Sequence, residues 1–259
     1  MSDRDGEVLA FAAAHRLVLA SHIHILLKTS ERDARGRLAA LEEAGLVRHE
    51  CALHSEPRCY QITRSGLVAI GSDLPPRQLD LRSYRKHVGV AWLWLAARDG
   101  VFGEPDRVLS KLELRSLDRT RTVPERPEGR SESGTLTLDP DEPPFGVSVH
   151  SSAPGVAPRL HYPDLMVITE GHRIAIELAL SMSGQRRVEQ VLEGYRAEPS
   201  IAVALYLVDD DLVSRSIRTP AAALGISDRI HVQGVQFAGA GGKRGAPPPM
   251  TGSEPATTR

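Results

Sequence analysis

The chain has 259 residues, 41% of them hydrophobic, and a formal net charge of −1 at pH 7. That is enough apolar material for one large or two ordinary domains, and it excludes a global polyanion-binding field, so nucleic-acid contact has to come from a local basic face. No apolar run is long enough to span a membrane, MSDRDGE lacks the pattern of a signal peptide, and only Cys51 and Cys59 are present, so a cytoplasmic protein with reduced thiols is expected.

Residues 7–20, EVLAFAAAHRLVLA, suit an amphipathic helix with Leu9, Ala13 and Leu17 on one side. Ser21 is placed to cap a second short helix, HIHILLK. Ser30 and Asp33 approximate a capping box at the start of a third, in which Ala34, Leu38 and Leu41 form the buried stripe and Gly45 the stop. Arg32 and Arg35 project from the opposite face, with Arg37 on the flank. LVRHECAL and PRCYQIT read as two strands with a tip at His54-Ser55-Glu56-Pro57, and Thr63-Arg64-Ser65-Gly66 restarts a helix. The wording RLAALEEAGLV…YQITRSG resembles the winged-helix domains of bacterial transcription regulators. The resemblance implies a winged helix-turn-helix over residues 1–75 that binds duplex DNA. Arg32, Arg35 and Arg37 would enter or flank the major groove, and Arg58 and Arg64 would lie near phosphates. A protein-interaction module is the alternative. Cys51 and Cys59 would face each other across the wing, as small apolar residues or as a redox pair. His15, His22, His24, His49 and His54 are too scattered for a zinc site.

Pro75-Pro76 marks a linker to a second domain, residues 79–238. LDLRSYRKHVGVAWLWLAARDG is a strong helix carrying Trp92, Leu93 and Leu95, with a basic start at Arg82, Arg85, Lys86 and His87. In DRVLSKLELRSLD, Glu113 and Arg115 alternate with Leu112 and Leu114. Residues 118–145 are rich in Pro, Arg and Glu and read as a long mobile excursion, with a short ribbon of GTLTLD against FGVSVH. The arginines of the excursion, interleaved with acids, read as a solvated loop.

The most informative stretch is His161 to Tyr195. LMVIT and RIAIELAL read as a hairpin with its turn at Glu170-Gly171-His172. Ile174, Ile176, Leu178 and Leu180 point one way, and Ala175, Glu177 and Ala179 the other. Asp164 at the mouth of the first strand and Glu177 late in the second can meet across the hairpin, where two hard oxygen ligands suit Mg²⁺. QRRVEQVLEGYRA is then a helix, IAVALYLV a buried strand, DDLVSRSIRTPAAALG a helix and RIHVQGVQF a last strand. Together they give an α/β (α+β) domain with a mixed sheet flanked by helices. Residues 239–259 are low-complexity and expected to be disordered.

Pro163-Asp164, the hairpin and Glu177 in an apolar strand resemble the PD-(D/E)XK, or restriction-endonuclease-like, core. That likeness implies Asp164 and Glu177 as catalytic residues and ligands of Mg²⁺ or Mn²⁺, with a Lys two residues after the Glu. This chain has Ala179 at that position. Arg186, Arg187 and Glu113 are candidate assistants, Gln190 and Tyr195 echo residues on the corresponding helix of some nucleases, and His161 or His172 is a candidate base. The succession of winged helix, KHVGV, VLSKLELR and HYPDL…IAIEL is similar to the replication-relaxation family over residues 7–236. That resemblance implies a mobile-element protein of plasmid replication, relaxation or transfer, with double-stranded DNA and replication or transfer proteins as partners. The expected function is duplex-DNA binding, in such a system or in transcription regulation, with a nuclease-like domain that has lost catalysis. A homodimer would favour inverted half-sites. The alternatives are a Mg²⁺-dependent endonuclease or nickase, and a protein-interaction adaptor that does not bind DNA.

Overall fold

The computed structural model describes residues 1–50, 56–75, 80–122, 143–150 and 157–236. Ser2 and Asp5 form a capping box that starts α1 (Asp3–Ala14). The chain then extends through β1 (Val18–Leu19) into α2 (Ala20–Leu26), whose start is held by Leu19 N–H donating to His22 Nδ1 at 3.1 Å, not by Ser21. Ser30 caps α3 (Glu31–Glu43) through the Asp33 N–H, and Gly45, at φ 69°, ends it in the left-handed region. β2 (Val47–Glu50) and β3 (Cys59–Ile62) pair antiparallel. β1 pairs with the other edge of β3, so the sheet order is β1-β3-β2. Residues 17–19, expected inside the first helix, leave it because His15 turns to extended backbone (φ −117°, ψ 149°) and Val18 then pairs with Tyr60. Thr63 caps α4 (Arg64–Ala69). Cys59 is buried, whereas Cys51, His54 and Ser55 lie outside the described residues.

A 3₁₀ turn (Leu81–Ser83) leads into α5 (Tyr84–Arg98). Ala91 and Leu95, with Trp92 and Trp94, pack into the core made by α1, α2 and α3. Leu93 and Ala97 pack on Leu165, Ile176 and Leu178 of a second core. A helix that is apolar on most sides has to lie between two layers, and α5 does. His15 and His22 are buried beside it in ring contact with Trp94 and Trp92. Burial pushes both imidazoles down to about 3 and keeps them neutral.

The second unit runs β4 (Arg107–Ser110), α6 (Lys111–Thr122), β5 (Val147–Val149), β6 (Arg159–His161), β7 (Leu165–Thr169), β8 (His172–Ala179), α7 (Gln185–Ala197), β9 (Ile201–Val208), α8 (Asp211–Ala223) and β10 (Ile230–Gly234). Its mixed sheet has the order β10-β9-β8-β7-β4. β4, β7 and β8 pair antiparallel, while β8, β9 and β10 pair parallel. α5 covers one face, and α6, α7 and α8 supply the apolar partners of the other. The mixed sheet flanked by helices is thus the expected α+β class.

Three local details differ from the sequence pattern. The hairpin turn is Glu170-Gly171 alone, both at positive φ (48° and 76°), and His172 already pairs with Thr169, as a two-residue type I′ turn requires. The alternation at 112–115 belongs to a helix, because Ser110 and Glu113 satisfy each other's backbone N–H at 2.7 and 3.4 Å and start α6 there. Val147–Val149 pairs with Arg159–His161, and the GTLTLD segment expected as its partner lies outside the described residues, as do 123–142 and 237–259.

Because α5 belongs to both cores, Leu93→Ala and Leu95→Ala should each destabilise by about 2–5 kcal/mol. Both should lower the midpoint of the same thermal transition. Calorimetry checks this: two separate transitions, each responding to one variant only, would contradict it.

Candidate functional site

The register Leu165↔Ile176 puts Asp164 next in line opposite Glu177, so the hairpin brings the two carboxylates to one end of the sheet. Both are buried, at 4% and 6% exposure. A carboxylate at such depth has to find cations or donors. Asp164 finds them on all sides. Its Oδ2 accepts from Lys86 Nζ at 2.8 Å and from the Leu178 N–H at 3.0 Å, and its Oδ1 accepts from Lys111 Nζ at 3.3 Å. The backbone fixes it as well: Asp164 N–H donates to Ile176 O at 3.0 Å, and Lys111 N–H donates to Asp164 O at 3.1 Å.

Glu177 has a different set of partners. His161 Nε2 lies 2.5 Å from its Oε1, and the Tyr195 hydroxyl donates to the same oxygen at 2.7 Å. Burial by itself would raise the Glu177 carboxyl. The His161 charge, with Lys111 and Lys86 behind it, outweighs burial and holds the group down at about 2. Burial would likewise push the Lys86 ammonium down, but Asp164 and Glu177 outweigh it and raise it, so the amine stays charged. Burial and the Glu177 carboxylate drive the Tyr195 phenol well above its ordinary range, which keeps it a donor.

Each partner is placed by a separate element. Lys86 is in the first turn of α5, Lys111 opens α6, His161 ends β6, and Tyr195 sits in the last turn of α7. The short ribbon β5–β6 carries His161 to Glu177. It packs closely on α7 because Gly194 has no Cβ, which would stand 2.8 Å from Ser148 O. Arg173 is absorbed elsewhere: it donates to Pro143 O and Pro144 O at 2.9 and 3.0 Å and lies over Phe145.

The site opens on a cavity of about 540 Å³. Lys86, Lys111, His161 and Glu177 line one side, and Arg82, Arg85 and Arg187 stand at the exposed edge. The lining also includes Leu180, Val188, Val191, Val213, Ile217 and Tyr206, together with Glu56 and the serines Ser83, Ser181, Ser183 and Ser216. Lys86 and Lys111 also border a second cavity, of about 250 Å³, together with Asp164.

Of the sequence candidates, Asp164, Glu177, Arg187 and His161 are at this site, as is Tyr195, read as an echo of a nuclease helix. Glu113 is tied to Ser110 as a helix cap and Arg186 is exposed outside the cavity lining. His172 is exposed at the hairpin turn. Among the groove candidates, Arg32, Arg35, Arg58 and Arg64 are exposed, and Arg35 lies 3.1 Å from Glu31 in an exposed pair. Arg37 is half-buried and committed to Asp5 and Ser2 of α1. The sequence pattern does not single out Lys86 and Lys111 as site residues. A compositional signal pointed to the lysines: only four of the 32 Lys and Arg residues are Lys, and two of those four meet at Asp164.

A divalent ion of the kind that the PD-(D/E)XK resemblance implies needs carboxylate oxygens directed at one point. Here both oxygens of Asp164 face ammonium groups, and Oε1 of Glu177 is taken by His161 and Tyr195. No group of three or more His, Cys, Asp or Glu side chains suited to a metal occurs among the described residues. The donor set as arranged does not fit Mg²⁺ or Mn²⁺, because the positive charge such an ion would bring is already supplied by the two lysines.

The depressed Glu177 carboxyl has a consequence for acid stability. Its folded value, about 2, lies below the ordinary 4.5, so its contribution is complete above pH 4.5 and is lost as pH falls from there towards 2. Denaturant titrations of wild type and Glu177→Gln should therefore differ by a constant amount at neutral pH and converge below pH 4.5. His15 and His22 add their own loss of stability below 6.5 in both proteins and cancel in the difference. A difference independent of pH would contradict the assignment.

No family model and no curated protein matches the sequence. Among solved structures, one titled "PigF with SAH" overlaps 90% of this chain and 57% of that one, at 14% identity and a TM-score of 0.21. A likeness that low carries no argument about fold or ligand.

Proposed function

We propose that this chain is a duplex-DNA-binding protein whose C-terminal unit is nuclease-like in architecture and does not cut DNA. What carries the reading is the element order of the first unit. It runs helix, strand, helix, helix, strand, strand, with a β1-β3-β2 sheet and the arginines Arg32 and Arg35 on the exposed side of α3. Read as a winged helix-turn-helix, α2 and α3 are the helical pair, β2 and β3 the wing, and Arg58 and Arg64 flank the wing near phosphates. Glu31, Asp33 and Glu43 are exposed on the same helix, so affinity depends on the few arginines and not on a broad field. The proposed setting is a replication, relaxation or transfer system of a mobile element, or transcription regulation, in the cytoplasm. No described helix is long and apolar enough to cross a membrane.

The nuclease alternative draws on Lys86 and Lys111, which bring to Asp164 the positive charge that Ala179 does not provide. The lysines that favour it also occupy the carboxylate oxygens a metal would need, so the binding reading is preferred. Incubation of supercoiled plasmid with Mn²⁺ should leave it supercoiled. Relaxation that disappears in both Asp164→Ala and Glu177→Ala would establish the nuclease instead.

Fluorescence anisotropy with a duplex pool should give an affinity that falls steeply with salt. Arg32→Ala and Arg35→Ala should each reduce the logarithmic salt slope by about 1. Affinity independent of salt, or no binding at all, would leave the adaptor reading. Arg37→Ala separates structure from contact: its Asp5 and Ser2 partners predict a lowered melting temperature with the salt slope unchanged.

A further inference from the structure

The cavity beside the carboxylates has a chemically mixed lining. Lys86 and Lys111 lie in the wall, with the exposed Arg82, Arg85 and Arg187. The Tyr206 ring lines it too, with Leu180, Val188, Val213, Ile217 and several serines. Its volume, about 540 Å³, falls within the range of small-ligand sites.

The charges of the lining do not cancel. The lining sets five cations, Arg82, Arg85, Lys86, Lys111 and Arg187, against the two acids Glu56 and Glu177, and Lys86 and Lys111 also share the carboxylate of Asp164. Each ammonium has three N–H donors and directs one at Asp164, so further donors remain on both. Glu177 faces the cavity too, but His161 and Tyr195 hold its Oε1. Arg85 is loosely tied to Asp209 at 3.7 Å, and Glu56 contributes the remaining acid of the lining. The start of α5 borders the same cavity through Ser83, Tyr84 and Arg85, just after the 3₁₀ turn that Asp80 caps by accepting from the Arg82 N–H at 3.1 Å.

We propose that this cavity is a binding site for a nucleoside phosphate that works without a divalent cation. Lys86, Lys111 and Arg187 take the phosphate, and Tyr206 with the apolar residues of the lining takes the base. Asp164 then acts as a positioning residue: it holds the two ammonium groups side by side. The inference rests on the DNA-binding reading for the source of the nucleotide, which is either the 5′-phosphorylated end of a strand or a free nucleotide.

The test is calorimetric titration of the full chain, in excess EDTA, with deoxyadenosine monophosphate, deoxyadenosine, and one short single strand carrying either a 5′-phosphate or a 5′-hydroxyl. The monophosphate should bind in EDTA, and removal of the phosphate should weaken binding by about tenfold or more. Arg187→Ala should weaken the monophosphate about tenfold with an unchanged melting temperature, because Arg187 is exposed. Lys86→Gln should weaken it further, and Lys86→Arg should restore part of the loss if charge, not shape, carries the contact. A 5′-phosphorylated strand that binds at least tenfold tighter than the free monophosphate identifies a strand end as the ligand. Equal affinity identifies the free nucleotide. Binding that requires Mg²⁺, equal affinity for deoxyadenosine, or no effect of Arg187→Ala would overturn the proposal. A blunt 5′-hydroxyl duplex measured in parallel keeps the two readings apart. Loss of duplex binding with the monophosphate still bound refutes the DNA-binding reading, and the converse refutes this one.

Discussion

Two carboxylates lie almost without solvent at one end of a mixed sheet, and most of the second unit is arranged to make that tolerable. An isolated ionised carboxylate in such a place would cost many kcal/mol, so it has to be paired or hydrogen-bonded. Asp164 is met by two lysines and a backbone N–H, and Glu177 by a histidine and a tyrosine. These partners come from α5, α6, β6 and α7, so the ionic cluster ties four elements together. Buried ion pairs of this kind are weak evidence for net stability. They are better understood as fixing how α5 and α6 approach this end of the sheet and how the β5–β6 ribbon lies on α7.

The two carboxylates also have unequal roles. Asp164 is in direct contact with two cations, Lys86 and Lys111, which also act on Glu177 from further away. Glu177 is balanced more locally, with His161 at hydrogen-bond distance and Tyr195 behind it. Lysine suits the first role better than arginine, since a compact ammonium on a flexible stem can share one carboxylate with a second cation approaching from another helix. That the chain uses Arg almost everywhere else makes the choice at 86 and 111 more telling.

The hairpin, the facing of Asp164 and Glu177, the Ser30 cap and the Gly45 stop could be read directly from the chain, because each depends on residues a few positions apart. Alternation and capping are local, and the register of an antiparallel hairpin follows from its turn. The partners of the carboxylates could not be read in this way. Lys111 reaches Asp164 across 53 positions and Lys86 from further upstream, through long side chains whose direction no periodicity encodes. His161 depended on which segment Val147–Val149 would choose as its partner. Arg37 looked like a surface residue on the flank of α3 until Asp5 and Ser2 of α1 were folded against it. The short strand β1 was hidden for a related reason: residues 17–19 fit a helical apolar stripe equally well, and pairing with β3 decides between the two.

The way α5 is buried bears on how such a protein can be taken apart. By sequence the helix follows the Pro75-Pro76 junction and belongs to the second half, yet Trp92, Trp94 and Leu95 lie among Phe11, Ile23 and Leu38 of the first. A piece cut at that junction would leave the first half with an open apolar trench and give the second a bare aromatic face. The two halves are therefore poor candidates for exchange with other modules, or for separate expression, unless α5 is supplied to both. The same 15-residue helix carries Lys86 at one end and the tryptophans further along. As a stiff rod of about 1.5 Å per residue, it makes the position of the lysine a geometric property of the first half as much as of the second.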